Sequence, residues 1–354
     1  MLSAPPFSLL ANLERVDDAI DANGDLADEV VNSALQFLTL GDLEADPDDL
    51  SMDWRDTAEP HHIDKAKSTI RQMYRDWSAE GLDERQACYG PVLEDLEEEF
   101  SHLPDKSSAK VLIPGAGLGR LVFETWRKGY MVEGNEISWH QLFASNWVLN
   151  HTKGTTFDLY PFAAEFSNVI RREHQLKVVK VPDVHVSSVL EDSCGLSSTE
   201  RMHMKAGDFV SLYREEQYGG RFEAVVTVFF IDTAPNLIRY IETVRHCLRP
   251  GGVWINNGPL LWHFEDRGSP AVDERTQSGE TTSAQAGIEE PGSFELTDEE
   301  VVELVRQMDF DIERRELGIE GIGYINNPRS MLQNTYRLSH WVARKRDKSE
   351  ARSV

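Results

Sequence analysis

The chain has 354 residues, 40% of them hydrophobic, enough for one large core or one domain with a substantial extension. Its 61 acidic residues against 36 basic ones leave a formal charge of −25. That balance argues against binding a phosphate backbone or an anionic membrane, and fits a soluble, self-repelling surface or a neutral or cationic substrate.

Taken in chain order, residues 1–57 are acidic, with short helices expected across 12–40 and a loop at Ala45-Asp-Pro-Asp-Asp. The opening MLSAPPFSLLANLERVDD lacks the basic-then-apolar pattern of a secretory signal, and no apolar run approaches the ~18 residues needed to span a bilayer. Residues 62–101 read as helices: His62 to Ala79 carries Ile63, Ile70, Met73 and Trp77 at helical spacing, and Gln86 to Phe100 continues after a break at Gly81. Alternation of strand and helix begins at Val111. Strands are expected at 110–113, 131–135, 182–186, 223–230 and 252–256, and helices at 118–128, 138–150 and 235–248. This order implies a parallel sheet covered on both faces. Residues 265–293 are polar and nearly free of apolar anchors, and read as a flexible insertion or, alternatively, a lid over a substrate. Thr297 and Glu300 form the spacing of a capping box before a helix near 297–309, and strands near 310–317 and 336–344 close the domain. The cysteines Cys88, Cys194 and Cys247 are widely spaced with no CxxC, the pattern of reduced structural thiols. The expected setting is cytoplasm, with the nucleus also open. The histidines show no metal-ligand spacing with cysteines, so no metal site is assigned.

The stretch 111–136, VLIPGAGLGRLVFETWRKGYMVEGNE, carries the most chemistry. An apolar strand runs into Gly115-Ala-Gly117-Leu-Gly119, then a helical pattern, then a second strand ending at Glu136. Glycines at such a turn let the backbone approach a ligand, and an acid at the next strand end is placed for ribose hydroxyls. The spacing is GxGxG and not the GxGxxG of dinucleotide folds, which favours S-adenosylmethionine over NAD. Tight packing alone is the plainer explanation of such glycines. Asp208-Phe209, after another strand end, offers an acid and an aromatic for an adenine amino group and ring. The LRPGG turn at 248–252 follows a helix as it does before the later strands of class I methyltransferases.

Beyond this turn, PGAGLGRL, GNEIS with SNWVLN, FFIDTAPN, LRPGGVWINNGPLLWHF and the terminal SM…Y resemble the carnosine N-methyltransferase family. The resemblance reaches upstream to RQMYRDWSAEG and ERQACYGPV, and covers roughly residues 60–264 and 293–345. It implies a class I methyltransferase domain (106–345), a Rossmann-like α/β fold with a mostly parallel sheet between helices. A helical N-terminal extension (1–105) would contribute to the cofactor site, and a tail occupies 346–354. The implied activity moves a methyl group from S-adenosylmethionine to the imidazole of carnosine, giving anserine and S-adenosylhomocysteine. The partner is then a small histidine-containing peptide, with no nucleic acid and no membrane, and a homodimer stays open.

By the same resemblance, Gln72 and Arg75 reach the cofactor from the N-terminal helix, Arg75 pairing with the methionyl carboxylate through its fork of donors. Gly115, Gly117, Glu136, Asp208 and Phe209 fall on or beside family cofactor positions. Val228 stands at another, where a relative carries cysteine; a backbone contact survives that change. Asp232, His263, Tyr336 and Tyr324 would bind the substrate, with Asp232 catalytic. Asp232 follows a strand at its carboxyl end, where open α/β sheets place ligands, though an acid before a helix is also a common N-cap. His263 beside aromatics and Tyr324 equally suit core packing. A relative has three tyrosines where this chain reads Asn334-Thr335-Tyr336, which loosens the assignment of the acceptor. Trp139 and Trp147 lie eight apart and read as core, with an adenine stack the lesser alternative. Three competing functions remain: a methyltransferase acting on another imidazole or a protein histidine, a noncatalytic S-adenosylmethionine-binding protein, and, least of all, an NAD-dependent oxidoreductase.

Overall fold

Apolar strands of three to eleven residues alternating with amphipathic helices build the core in the computed structural model, which describes residues 2–40, 57–192, 199–263, 294–319, 323–325 and 327–347. The insertion expected at 265–293 and the loop at Ala45 lie outside the described residues, as does Cys194. Chain contacts divide the molecule into two compact units. One comprises residues 1–85, 138–195 and 323–335, and the other residues 86–137, 196–322 and 336–354.

The second unit holds a seven-stranded sheet: β1 (Lys110–Pro114), β2 (Met131–Glu136), β3 (Met202–Ala206), β4 (Phe222–Val228), β5 (Leu248–Gly258), β6 (Phe310–Ile319) and β7 (Leu338–Lys345). Across the sheet the order is β3-β2-β1-β4-β5-β7-β6. The pairs β1–β2, β1–β4, β2–β3 and β4–β5 are parallel, and β7 runs antiparallel to both β5 and β6. Strands buried on both faces need near-continuous apolar runs, and Val111-Leu112-Ile113 and Ala224-Val225-Val226 supply them, each residue no more than 2% exposed. On one face, the helices Phe209–Tyr213, Leu237–Cys247 and Asp298–Gln307 share a core built on Phe209, Phe230, Tyr240, Ile241, Val302, Phe310 and Trp341. Helix Arg120–Arg127 packs on β2 and β3 outside that cluster. The capping box before helix 298–307 forms as expected: Thr297 accepts from the Glu300 N–H, and Glu300 accepts from Thr297 N at 2.8 Å.

The strand expected at 182–186 is not formed. Pro182 has no N–H to extend a ladder, so the extended segment is Val179–Val181 and residues 186–192 are helical. The short strand Val179–Val181 pairs antiparallel with Phe157–Leu159 in a separate ribbon in the first unit. The sheet position left vacant in that expectation is taken by β3, MHMKA, a short edge strand whose mixed residues carry almost no apolar signal.

In the first unit, helix Leu9–Leu40 buries Val16, Ala19, Leu26 and Val30 against helix Trp139–Asn150 and the ribbon. Asn23 clamps Tyr160 in both directions, donating to its carbonyl and accepting its N–H, each at 2.9 Å. Helix Pro60–Trp77 packs on helix 139–150 and on Val179–Val181, and buries its final turns from Gln72 to Trp77.

Candidate active site

The order of the sheet reverses between β1 and β4, so the chains leaving their carboxyl ends diverge and open a crevice where α/β folds place ligands. The turn after β1 carries Gly115 and Gly117 at φ of +66° and +56°, the left-handed region that costs most residues energy. A Cβ at Gly115 would overlap the Phe230 ring, whereas one at Gly117 would meet nothing within 4 Å. One glycine is therefore required by packing and the other by conformation, and Gly117 leaves open space beside the backbone. Glu136, at the end of β2, is 6% exposed. Its carboxylate accepts the Gly117 N–H at 3.0 Å and the Ile137 N–H at 2.8 Å. Asn135 ties this strand end to the neighbouring loop through the Gly207 carbonyl at 3.0 Å. An acid held beside an open glycine turn suits the ribose and methionyl part of S-adenosylmethionine.

Asp208 and Phe209 follow β3 as expected, but their side chains have local duties. Asp208 caps helix 209–213, accepting from Ser211 N at 2.8 Å and Ser211 Oγ at 2.9 Å. Phe209 is 3% exposed, and its ring packs edge-on against Phe230 and Tyr240 with centroids 5.5 and 5.4 Å apart. That ring belongs to the core, which corrects the expectation of a ring against adenine and leaves the main chain as the part of Phe209 able to meet a cofactor.

At the end of β4, Val228 pairs with Asn257 of β5, and the next residue turns sharply. Phe229 has φ +51°, strained for a bulky residue, and donates its N–H to the Asn257 carbonyl at 3.1 Å. Its ring meets Tyr336 edge-on at 6.1 Å, and Phe230 seats itself under Gly115. Phe229 and Phe230 thus shape the crevice. Sequence reasoning missed them, because two phenylalanines at a strand end look like ordinary core; only their place beside FIDTA hinted otherwise.

That turn delivers Asp232, 3% exposed, into a short 3-10 turn. Its Oδ2 accepts the Leu261 N–H at 2.9 Å, and its carbonyl accepts the His263 N–H at 3.1 Å. Burial raises its pKa above the ordinary carboxylate value, outweighing the opposing pull of the Leu261 hydrogen bond and the His263 charge. The N-cap of helix 237–247 is Asn236, whose side chain accepts the Arg239 N–H at 3.3 Å. The capping explanation for Asp232 therefore falls away. His263 follows on the segment leaving β5, exposed and tied to Asp232 through its main chain. In this unit the structure thus groups Gly117 with Glu136, Asp232 with His263, and Phe229 with Tyr336.

Gln72, Arg75 and Tyr324 belong to the first unit. Gln72 accepts from Gln141 Nε2 at 2.7 Å. Arg75 is 7% exposed and pairs with Asp76 through both Nε and Nη2, at 2.7 and 2.8 Å. Its guanidinium lies 4.9 Å from the centre of the Tyr324 ring. Arg85 fixes the same turn by donating to the carbonyls of Arg75 and Ser78, each at 2.6 Å. Arg75 and Tyr324, far apart in sequence, are therefore brought together. Trp147 is 2% exposed and in the core, but Trp139 is 57% exposed, so the reading of both as core holds for only one.

A seven-stranded sheet with a single reversed strand beside its edge, a glycine turn after β1 and an acid closing β2 define a class I S-adenosylmethionine-dependent methyltransferase. The family model for carnosine N-methyltransferase matches residues 52–347. The chain is 33% identical over 339 residues to the carnosine N-methyltransferase of Schizosaccharomyces pombe, a match covering 95% of this chain and 83% of the relative. It is 34% identical over 343 residues to that of Mus musculus, covering 96% and 76%. Among solved structures it is similar to the 1,6-didemethyltoxoflavin-N1-methyltransferase of Burkholderia thailandensis, at a TM-score of 0.40 and 17% identity over 82% of this chain and 92% of that one. The chain belongs to the carnosine N-methyltransferase family.

Proposed function

We propose that this chain methylates the imidazole ring of carnosine, giving anserine, or that of a related histidine-containing dipeptide. The observation that carries the reading is Asp232: a buried carboxylate at the crevice end of β4, in the same unit as the glycine turn and Glu136. Bound S-adenosylmethionine supplies a sulfonium-activated methyl group. The chain must align a ring nitrogen with it and manage the charge that moves.

Unperturbed histidine titrates near ~6.5, so at neutral pH the acceptor already holds a lone pair and no strong base is needed. Alignment is the larger lever, worth up to ~7–11 kcal/mol in ideal cases. Asp232 accepts the N–H of the non-reacting ring nitrogen, which fixes the tautomer with its lone pair toward the methyl group. As the N–CH3 bond forms and the S–CH3 bond breaks, the ring becomes cationic, and a carboxylate in a dry site offsets that charge more strongly than one in water. Burial makes Asp232 the more ready to take the ring proton afterwards, leaving a neutral methylimidazole and S-adenosylhomocysteine. His263 and Tyr336 flank the ring. Gly115, Gly117, Glu136, Asp208 and the main chain at Phe209 and Val228 hold the cofactor.

The loss of two tyrosines at Asn334-Thr335 favours a second reading, in which the acceptor is a different imidazole compound. A labelled-methyl assay across carnosine, homocarnosine and histidine, with mass spectrometry of the products, separates the two. Carnosine as the preferred acceptor is the expected result; label on another imidazole alone would establish the second reading, and no transfer to any imidazole would overturn both.

A further inference from the structure

β4 ends where Val228 faces Asn257, but β5 continues to Gly258, which is buried and pairs with Ser339 of β7 on its other side. Against Gly258 on the β4 side lies the turn that begins at Phe229. A Cβ at Gly258 would stand 3.0 Å from the Phe229 nitrogen and 3.2 Å from its Cα, so tight that the backbone opposite must give by a few tenths of an ångström. Gly258 does not use the left-handed region, so glycine is required here by space and not by conformation. Phe229, by contrast, is held at φ +51°, a strain that persists only where neighbours fix it. The segment leaving β5 does so. The Asn257 carbonyl accepts the Phe229 N–H at 3.1 Å, and the Leu261 and His263 N–H groups reach the Asp232 carboxylate and carbonyl at 2.9 and 3.1 Å respectively. All of these residues belong to the second unit.

We propose that Gly258 is a positioning residue for methyl transfer: its bare backbone is the seat on which the Phe229 turn rests, and the height of that turn sets where the Asp232 carboxylate meets the acceptor ring. The inference rests on the function proposed above and adds to it a residue that acts only through the turn. Asp232 lies in the same short turn, tied at both ends to the segment leaving β5, so a displacement at Phe229 is carried to the carboxylate and not absorbed on the way. Alignment in the transition state is sensitive to sub-ångström misplacement, whereas binding of cofactor and acceptor in the ground state is spread over many contacts. The cost of a side chain at Gly258 therefore falls on kcat and not on KM.

The test compares Gly258→Ala with Gly252→Ala, in which the new Cβ would meet the Arg249 and Glu223 carbonyl oxygens at 3.0 and 3.1 Å, a similar squeeze nearer the start of β5. Gly258→Ala is expected to lower kcat for carnosine about tenfold, with KM and the calorimetric Kd of S-adenosylhomocysteine kept within about twofold. Hydrogen exchange of the amides at 229–233 should quicken about tenfold, while that of β1 stays as in the wild type. Gly252→Ala should change neither kcat nor exchange in the turn. Turnover by Gly258→Ala equal to that of an active wild type, unmoved exchange in the turn, or the same kcat loss in both variants would overturn the proposal. Faster exchange confined to the turn, with no methyl transfer to any imidazole by the wild type, would uphold the seat while removing the proposed reaction. Should Gly258→Ala not fold, it is combined with Phe229→Gly, since a glycine free to leave +51° makes room, and the same comparison is drawn against Phe229→Gly alone.

Discussion

Asp232 meets two demands that pull in opposite directions. Its burial makes the charged form costly in the empty site, and the same burial makes that charge effective once an imidazole N–H approaches. Replacing it by asparagine keeps the shape and one acceptor oxygen but removes the charge. Asp232→Asn is therefore expected to bind S-adenosylhomocysteine with unchanged affinity by calorimetry while losing most turnover, by ~10²-fold or more. Turnover equal to the wild type would take Asp232 out of the mechanism. The raised pKa also predicts a stability signature. A carboxyl that holds its proton more tightly folded than unfolded favours folding at acid pH, and that contribution is lost as the pH climbs through its folded value. In urea melts, the wild-type unfolding free energy should fall relative to Asp232→Asn as the pH rises from ~4, the ordinary carboxylate range, towards neutrality. A difference that stays flat or grows would mean Asp232 is not desolvated.

The elements around the crevice divide their work: strands carry the backbone to the crevice, and turns aim side chains across it. Asn236, not Asp232, starts the helix 237–247, by accepting the Arg239 N–H. Asn236→Ala should lower the unfolding free energy by about 1 kcal/mol in a denaturant titration, the usual worth of an N-cap. A null result would shift the start of that helix to another residue. Such division was partly legible beforehand. The capping box at Thr297 and the break at Gly81 could be read because they depend on neighbours in sequence. The misplaced strand at 182–186 and the bounds of β3 could not, since an edge strand is held by its partner β2 and its own residues need not be apolar. Likewise the Phe209 ring suited an adenine contact in sequence, and only the fold sets it against Phe230 and Tyr240.

At the scale of the whole molecule, a cofactor that binds only the folded state must raise its stability. S-adenosylhomocysteine at a hundredfold excess over its Kd is expected to add about 2.7 kcal/mol, read as a rise in Tm that scales with ligand concentration. NAD at the same concentration should leave Tm where it was; a shift with NAD alone would reverse the choice of cofactor made from the glycine spacing. That spacing, the strand-helix alternation from Val111 and the strings FIDTA and LLWHF determined the fold class, the cofactor and the family without a structure. They could do so because a turn against a ligand and a strand end are local features, written in consecutive residues. Tertiary structure alone decided that Tyr324 lies over Arg75, that Asp232 is buried and not a cap, and that Phe229 turns on a strained backbone toward Tyr336. Those facts depend on contacts between segments distant in the chain, and burial, which sets a carboxylate's charge, belongs to no single stretch of sequence.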